Sequence, residues 1–333
     1  MAQALLTLEE TRDRVEEGRP LLLAGDERVL RQLPPGNWIG GTIPYFMSER
    51  GGVYSQDHVF VTGFPDDIAA SRITSYDEAQ LYKIYSDIPD NGFGVVILPA
   101  ASPVLSRFAV EALSYKAFAT SPLIGWVSGV PLAEIGVVKP LVFDGHSGAA
   151  YENVGVVLHI NLPAGRRAEI GIVNPFHPGP GDALQFLEQG FSVGKALVNG
   201  RSVAFSAYLK ENGINLQLPM VAEQGGSAVN VSFQGIDESS GRVSFLAPVF
   251  PGVTYRMARP IGDYVAAFED EVTSAGLETG PVVVSCNCVL NYLYSGLEGR
   301  QTEQFVGPIT FGEVAHQLLN QTMVYLSVKN AIA

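Results

Sequence analysis

The 333-residue chain is short of cysteine, histidine and charge, and each shortage excludes something. Its two cysteines, Cys286 and Cys288, are too few and too close together for a disulfide framework, a usage that fits a reducing cytoplasm. The five histidines form no HxH, HExxH or Cys/His zinc spacing, so no metal is expected. Charged residues make up 17% and hydrophobic ones 47%, against roughly 25% charged in an average chain, so much of the molecule is core and disorder is excluded. Acidic side chains outnumber basic ones by 34 to 21, a net charge of −13 that repels phosphate backbones and anionic surfaces. Nucleic acid is therefore not an expected partner. Long apolar runs are missing too: the stretch 117–133 is broken by Pro122, Gly125, Gly129 and Pro131, where a spanning helix wants about 20 apolar residues. Met1–Arg14 has no basic start and does not read as a secretory leader. A cytoplasmic protein with no membrane partner is expected.

Enzyme templates are also absent. Neither GxGxxG nor a P-loop occurs. Gly125-Trp126-Val127-Ser128-Gly129 is not GxSxG, and Gly145-His146-Ser147-Gly148 lacks the strand and helix that a nucleophile elbow needs.

What the sequence does contain is a recurring pattern. Short β-branched segments punctuated by Gly, Pro or Asn read as strands, among them 38–46 and 202–207; helical patterns are fewer, among them 76–86, 182–188, 263–274 and 288–297. Three stretches run strand, helix, strand, variable loop, strand. The first starts at LLLAG (21–25), the second at GVVILPA (94–100) and the third at PVVVSCN (281–287). In each, the second strand opens with an apolar residue and a glycine (Ile39-Gly40, Ile124-Gly125, Val306-Gly307), followed within three positions by a small hydroxyl residue: Thr42, Ser128 or Thr310. The expected fold class is α+β, with mixed, largely antiparallel sheets and pseudo-symmetric βαββ units. The expected division is an N-terminal αβ half, 1–160, and a β-rich central segment with a C-terminal half, 161–333.

The last quarter is the richest in polar chemistry. Ser285, Cys286, Asn287 and Cys288 follow an apolar strand and open a helix, where free N–H groups favour an anion and lower the pKa of a thiol. Gly307-Pro308-Ile309-Thr310-Phe311-Gly312-Glu313 precedes a further element read as helix, and Asn320-Gln321-Thr322 opens the final strand. Together with Cys286 these segments resemble the C-terminal part of FIST domains, over about 45 residues. The resemblance implies an intracellular sensory module that binds a small ligand and passes a signal to a protein partner. This chain carries Asn287 and Cys288 where an arginine often follows the cysteine in that family. Some FIST-like sensors bind haem, for which His58 or His177 is the axial candidate; no cofactor is otherwise expected.

Three readings follow. The first is a non-catalytic protein that binds a small polar molecule through Cys286, Asn287, Cys288, Thr310, Glu313, Asn320 and Thr322, with Thr42, Tyr45 and Ser128 on the opposite wall. The second is a cysteine-dependent enzyme using Cys286 with Glu313 and His316, which would share a helix face at a spacing of three. The third is a homodimeric structural or partner-binding protein that uses the central β-region.

Overall fold

The computed structural model describes residues 3–118, 120–224, 227–274, 281–302 and 305–330. Its first repeat comprises β1 (Gln3–Thr7), α1 (Leu8–Glu16), β2 (Leu21–Gly25), α2 (Glu27–Leu30), β3 (Trp38–Thr42), β4 (Tyr45–Ser48), β5 (Gly51–Tyr54) and β6 (His58–Gly63). The second comprises β7 (Ala70–Tyr76), β8 (Gly92–Pro99), α3 (Pro103–Glu111), β9 (Leu123–Ser128), β10 (Val142–Asp144), β11 (Ala149–Tyr151) and β12 (Gly155–Asn161). The third opens with β13 (Arg166–Val173) and is then interrupted. The interruption holds β14 (Leu184–Gln185), β15 (Gly190–Val193), β16 (Lys195–Val198), β17 (Arg201–Ala204), α4 (Phe205–Glu211), β18 (Met220–Gln224), β19 (Ser227–Val231), β20 (Phe233–Asp237), β21 (Arg242–Val249) and β22 (Arg256–Met257). The repeat resumes with α5 (Tyr264–Ser274), β23 (Val282–Cys288), α6 (Val289–Ser295), β24 (Gly307–Thr310), β25 (Glu313–Ala315), β26 (Gln317–Leu319) and β27 (Met323–Asn330).

Each repeat builds the middle of one six-stranded sheet, and the three sheets have the same plan. The first two long strands lie parallel (β2–β3, β8–β9, β23–β24), as a helical crossover demands, and the closing strand returns antiparallel to the first (β6, β12, β27). The opening strand then pairs outside the closing one (β1, β7, β13). The fold is α+β, with mixed and mostly antiparallel sheets. Gly125 faces Val96 across its parallel pair and Gly40 faces Leu23 in the same way; a Cβ on Gly125 or Gly307 would run into the carbonyl oxygen of Val96 or Ser285. Gly125 and Gly307 are thus points of close strand approach, and Gly40 holds the matching place in the first repeat.

The sixth place in each plan is filled from elsewhere. The hairpin between the second and closing strands of each repeat leaves its own sheet. β4–β5 extends the third repeat's sheet beside β24, β25–β26 extends the second's beside β9, and β10–β11 extends the first's beside β3. Two of the three sheets therefore take strands from both sides of the 160/161 division. The segment 38–46 is two strands in two sheets, because Pro44 lacks an amide donor and the chain turns away at Ile43.

Other local expectations are corrected. Residues 182–188 form no helix: Leu184 and Phe186 are buried alternately with half-buried or exposed neighbours, and Leu184–Gln185 is the short strand β14. Residues 202–207 are strand only as far as Ala204, where α4 takes over. Of 76–86, Tyr76 closes β7 and only Leu81–Lys83 forms a short 3₁₀ turn. Faces of all three sheets share one core that includes Ile39, Phe46, Phe93, Ile97, Trp126, Cys286, Ile309 and Leu326. The inserted β-segment packs with α3 and the opposite face of the second sheet through Phe186, Phe205, Phe233 and Phe245. No helix among the described residues is long and apolar enough to cross a membrane.

Candidate functional site

The last turn of β23, the start of α6, and the segments after β24 and before β27 converge on a closed polar cluster. Cys286, Asn287, Cys288, Asn291, Thr310, Glu313, Asn320 and Thr322 are each at most 3% exposed, and Tyr264 reaches them from α5. Asn287 is the hub. Its Oδ1 accepts from the Cys288 amide (2.7 Å) and from Asn291 Nδ2 (2.9 Å), which leaves its Nδ2 to face Tyr264. The amide of Cys288, which caps α6, is thus taken up within the protein, shared between Asn287 Oδ1 and Thr322 O (3.2 Å). Thr310 Oγ1 donates toward Asn287 O (3.3 Å) and Gly312 O (3.0 Å). Thr322 donates both its amide (3.2 Å) and its hydroxyl (2.8 Å) to Glu313 Oε2.

Burial pushes the Glu313 carboxyl up to about 8, outweighing the hydrogen bonds from Thr322 and the neighbouring Cys288. The thiols behave in the opposite way to the sequence expectation. Desolvation, and then the nearby Glu313, hold Cys286 and Cys288 well above the ordinary thiol range. Cys286 Sγ donates to Gly125 O of β9 (3.4 Å) and packs as part of the core. Five polar atoms of the cluster, Tyr264 OH, Asn287 Nδ2, Asn291 Oδ1, Glu313 Oε1 and Asn320 Oδ1, make no hydrogen bond of good geometry, although Tyr264 faces Asn287 and Cys288 faces Glu313. Buried polar groups are almost always paired, so five together mark a feature to be explained.

Through Tyr264 the cluster adjoins a cleft of about 340 Å³ between the insertion and the third repeat. Its lining includes Asn215 and Gln217 of the insertion and Tyr264, Tyr294, Arg300 and Gln321 of the third repeat. Asp263 starts α5 by accepting the amides of Val265 and Ala266, and its carboxylate is clasped by Arg300 through two 2.7 Å bonds. Gln321 ties the floor to the insertion by donating to Gln217 O (3.1 Å) and accepting from Ser232 (2.8 Å).

Residues 6–329 match a family described as a family of unknown function, DUF6976. The chain belongs to that family. No curated protein matches it.

The structure brings together the seven candidates of the C-terminal segment, places Ser128 on the strand that pairs with Glu313, and engages Thr42 and Tyr45 elsewhere. Thr42 exchanges hydrogen bonds with Leu141, and Tyr45 accepts from the Leu132 amide (3.0 Å) while its ring lies 5.6 Å from that of Tyr292. Ser128 is buried with its hydroxyl unpartnered. Thr42 instead lines a second cleft of about 250 Å³ with Asp26, Arg28 and Gln56. Glu313 and His316 share no helix face, because 313–319 is a β-hairpin with His316 at its turn (φ 60°). The His316 ring packs against Phe118, and its carbonyl accepts from Tyr85. His58 Nδ1 is engaged with Ser55 (2.9 Å), and His177 Nε2 with Glu271 (2.6 Å). Among the described residues no group of three or more His, Cys, Asp or Glu is placed to hold a metal ion. Sequence reasoning passed over Tyr264 and Asn291. Tyr264 opens a helix that reads as amphipathic core; Asn291, a polar residue on the buried face of 288–297, was a signal that went unused.

Proposed function

We propose that the chain is a non-catalytic, sensory-type protein that binds a small polar molecule at the cluster beneath the Tyr264 cleft. The observation that carries this reading is a set of five buried polar atoms without well-formed hydrogen bonds, one of them on Tyr264, which also lines a cleft large enough for a small molecule. The neutral, inert thiols favour binding over cysteine chemistry, which needs a thiolate. The FIST resemblance supports a sensory role in the cytoplasm, with a signalling protein as downstream partner and a homodimer as a compatible assembly.

Native mass spectrometry of freshly purified protein tests the reading. A small molecule should be retained by the wild type and lost from a folded Asn287→Ala variant. If the wild type carries none, and a broad metabolite mixture leaves its melting temperature unchanged, the cluster is structural.

A further inference from the structure

Two charged side chains line the cleft beside Tyr264, and they cancel. Arg300 Nη2 donates to both oxygens of Asp263 (2.7 Å each), and Arg300 Nη1 is held on Ser295 O (3.4 Å). The pair is not saturated. Asp263 Oδ1 also accepts the Val265 and Ala266 amides, but Oδ2 accepts only from Arg300, and the guanidinium has further N–H groups to give. A carboxylate acceptor and guanidinium donors thus stand side by side with no net charge. An ionic ligand would bring a charge that only the breaking of this pair could match.

The insertion adds a fixed turn. Asn215 Oδ1 accepts the Gln217 amide (3.0 Å), and Gln217 O accepts from Gln321 Nε2 (3.1 Å). Asn215 therefore has Nδ2 left as a donor. The exposed side-chain amide of Gln217, which makes no hydrogen bond among the described residues, offers both a donor and an acceptor. The same cleft carries apolar surface from Phe176, Leu218 and Ile261, and from the ring of Tyr294 on α6, which is 41% exposed. A matching ligand is uncharged, offers donors and acceptors at its edge, and has an apolar face. Hydroxyl groups meet the first two demands because each both donates and accepts, and the C–H face of a saturated ring meets the third.

Resting on the proposed binding of a small polar molecule in this region, we propose that the occupant of the cleft is an uncharged polyhydroxyl ring, of the monosaccharide or cyclitol class. Neighbouring hydroxyls bridge Asp263 Oδ2 and Arg300, others reach Asn215 and Gln217, and the C–H face lies on Tyr294. At about 340 Å³, near the lower end of small-molecule sites, the cleft suits one ring rather than a chain of them.

Saturation-transfer NMR on the full chain tests this, with glucose, galactose, mannose and myo-inositol set beside glucuronate, glucosamine and uracil. At least one neutral polyol should bind about tenfold or more tightly than either ion, since an ion leaves a charge unmatched or breaks the Asp263–Arg300 pair. Gln217→Ala and Tyr294→Ala change exposed side chains and should melt as the wild type does, yet each should weaken that polyol several-fold. Preference for glucuronate or glucosamine overturns the uncharged class, and preference for uracil the hydroxyl class, while either leaves the cleft as a site. A polyol that binds both variants as tightly as the wild type sits elsewhere, and the proposal falls. If no probe binds, the ligand class falls; the wider binding reading falls with it only if native mass spectrometry also finds the wild type empty.

Discussion

Raising the pH should destabilise the wild-type chain relative to its Glu313→Gln variant. In the unfolded chain Glu313 releases its proton near the ordinary 4.5, whereas in the folded protein it keeps it until about 8. Between those values the folded state holds the extra proton, so each step up in pH favours unfolding. The stability that Glu313 contributes is complete below 4.5 and is lost as the pH climbs toward 8. At 1.36 kcal/mol per pH unit, the gap from 4.5 to about 8 sets an upper limit on the order of 5 kcal/mol, with about 3 kcal/mol already lost at pH 7. Glutamine keeps an oxygen for Thr322 and a donor in place of Oε1–H, but cannot ionise. Urea unfolding of both proteins at about pH 5.5, 7 and 8.5 gives two stability curves. Their difference cancels every other titrating group and should widen by several kcal/mol in favour of the variant. A difference that stays flat over that range would refute the reasoning, since it would mean that Glu313 is hydrated or paired with a positive charge.

Three further outcomes are expected. Gly125→Ala and Gly307→Ala each drive a methyl into a neighbouring strand's carbonyl oxygen, so both should abolish cooperative thermal unfolding; Gly235→Ala, with open space around it, should leave the melting curve in place. Ser102→Ala removes the hydroxyl that accepts from the Leu105 amide (3.1 Å) at the start of α3, and should lower unfolding free energy by about 1 kcal/mol in urea titration. Cys286 and Cys288 should resist a disulfide-exchange reagent such as DTNB at pH 8 and react together only on unfolding; fast native-state labelling would show that the cluster opens.

The βαββ repeats were legible because they are local: an apolar strand, a helix and an apolar-glycine onset follow one another in sequence, and Gly40, Gly125 and Gly307 mark the same place in each repeat. The hairpin exchange was not, because which strand edge a hairpin seeks depends on partners as much as 260 residues away, as Met47 opposite Gly307 illustrates. Periodicity misled at 182–188, where Leu184 and Phe186 suit a strand as well as a helical turn. In the site, short polar residues ending an apolar strand pointed to Asn287, and Thr310, Glu313 and Thr322 followed from the same logic. The sequence expectation of a lowered thiol pKa failed because helix-end electrostatics were weighed without burial, and burial dominates at Cys286 and Cys288. The wall assigned to Thr42 and Tyr45 failed for a topological reason: the exchange sends those residues against segment 132–141.

The hairpins are passed in one rotational sense, from the first repeat to the third, the third to the second and the second to the first. Such a cycle has no first member. Deleting any one repeat would strip a neighbour's sheet of its outer two strands and leave another hairpin with no sheet to join, exposing unpaired edges of the kind that seed aggregation. A lone repeat would have satisfied its edges only as one of three identical copies closed head to tail around a threefold axis. In its connectivity the chain resembles a closed trimer carried on one polypeptide. The buried polar cluster shows what that connectivity permits: one repeat carries an insertion and a polar centre while all three keep the ring closed.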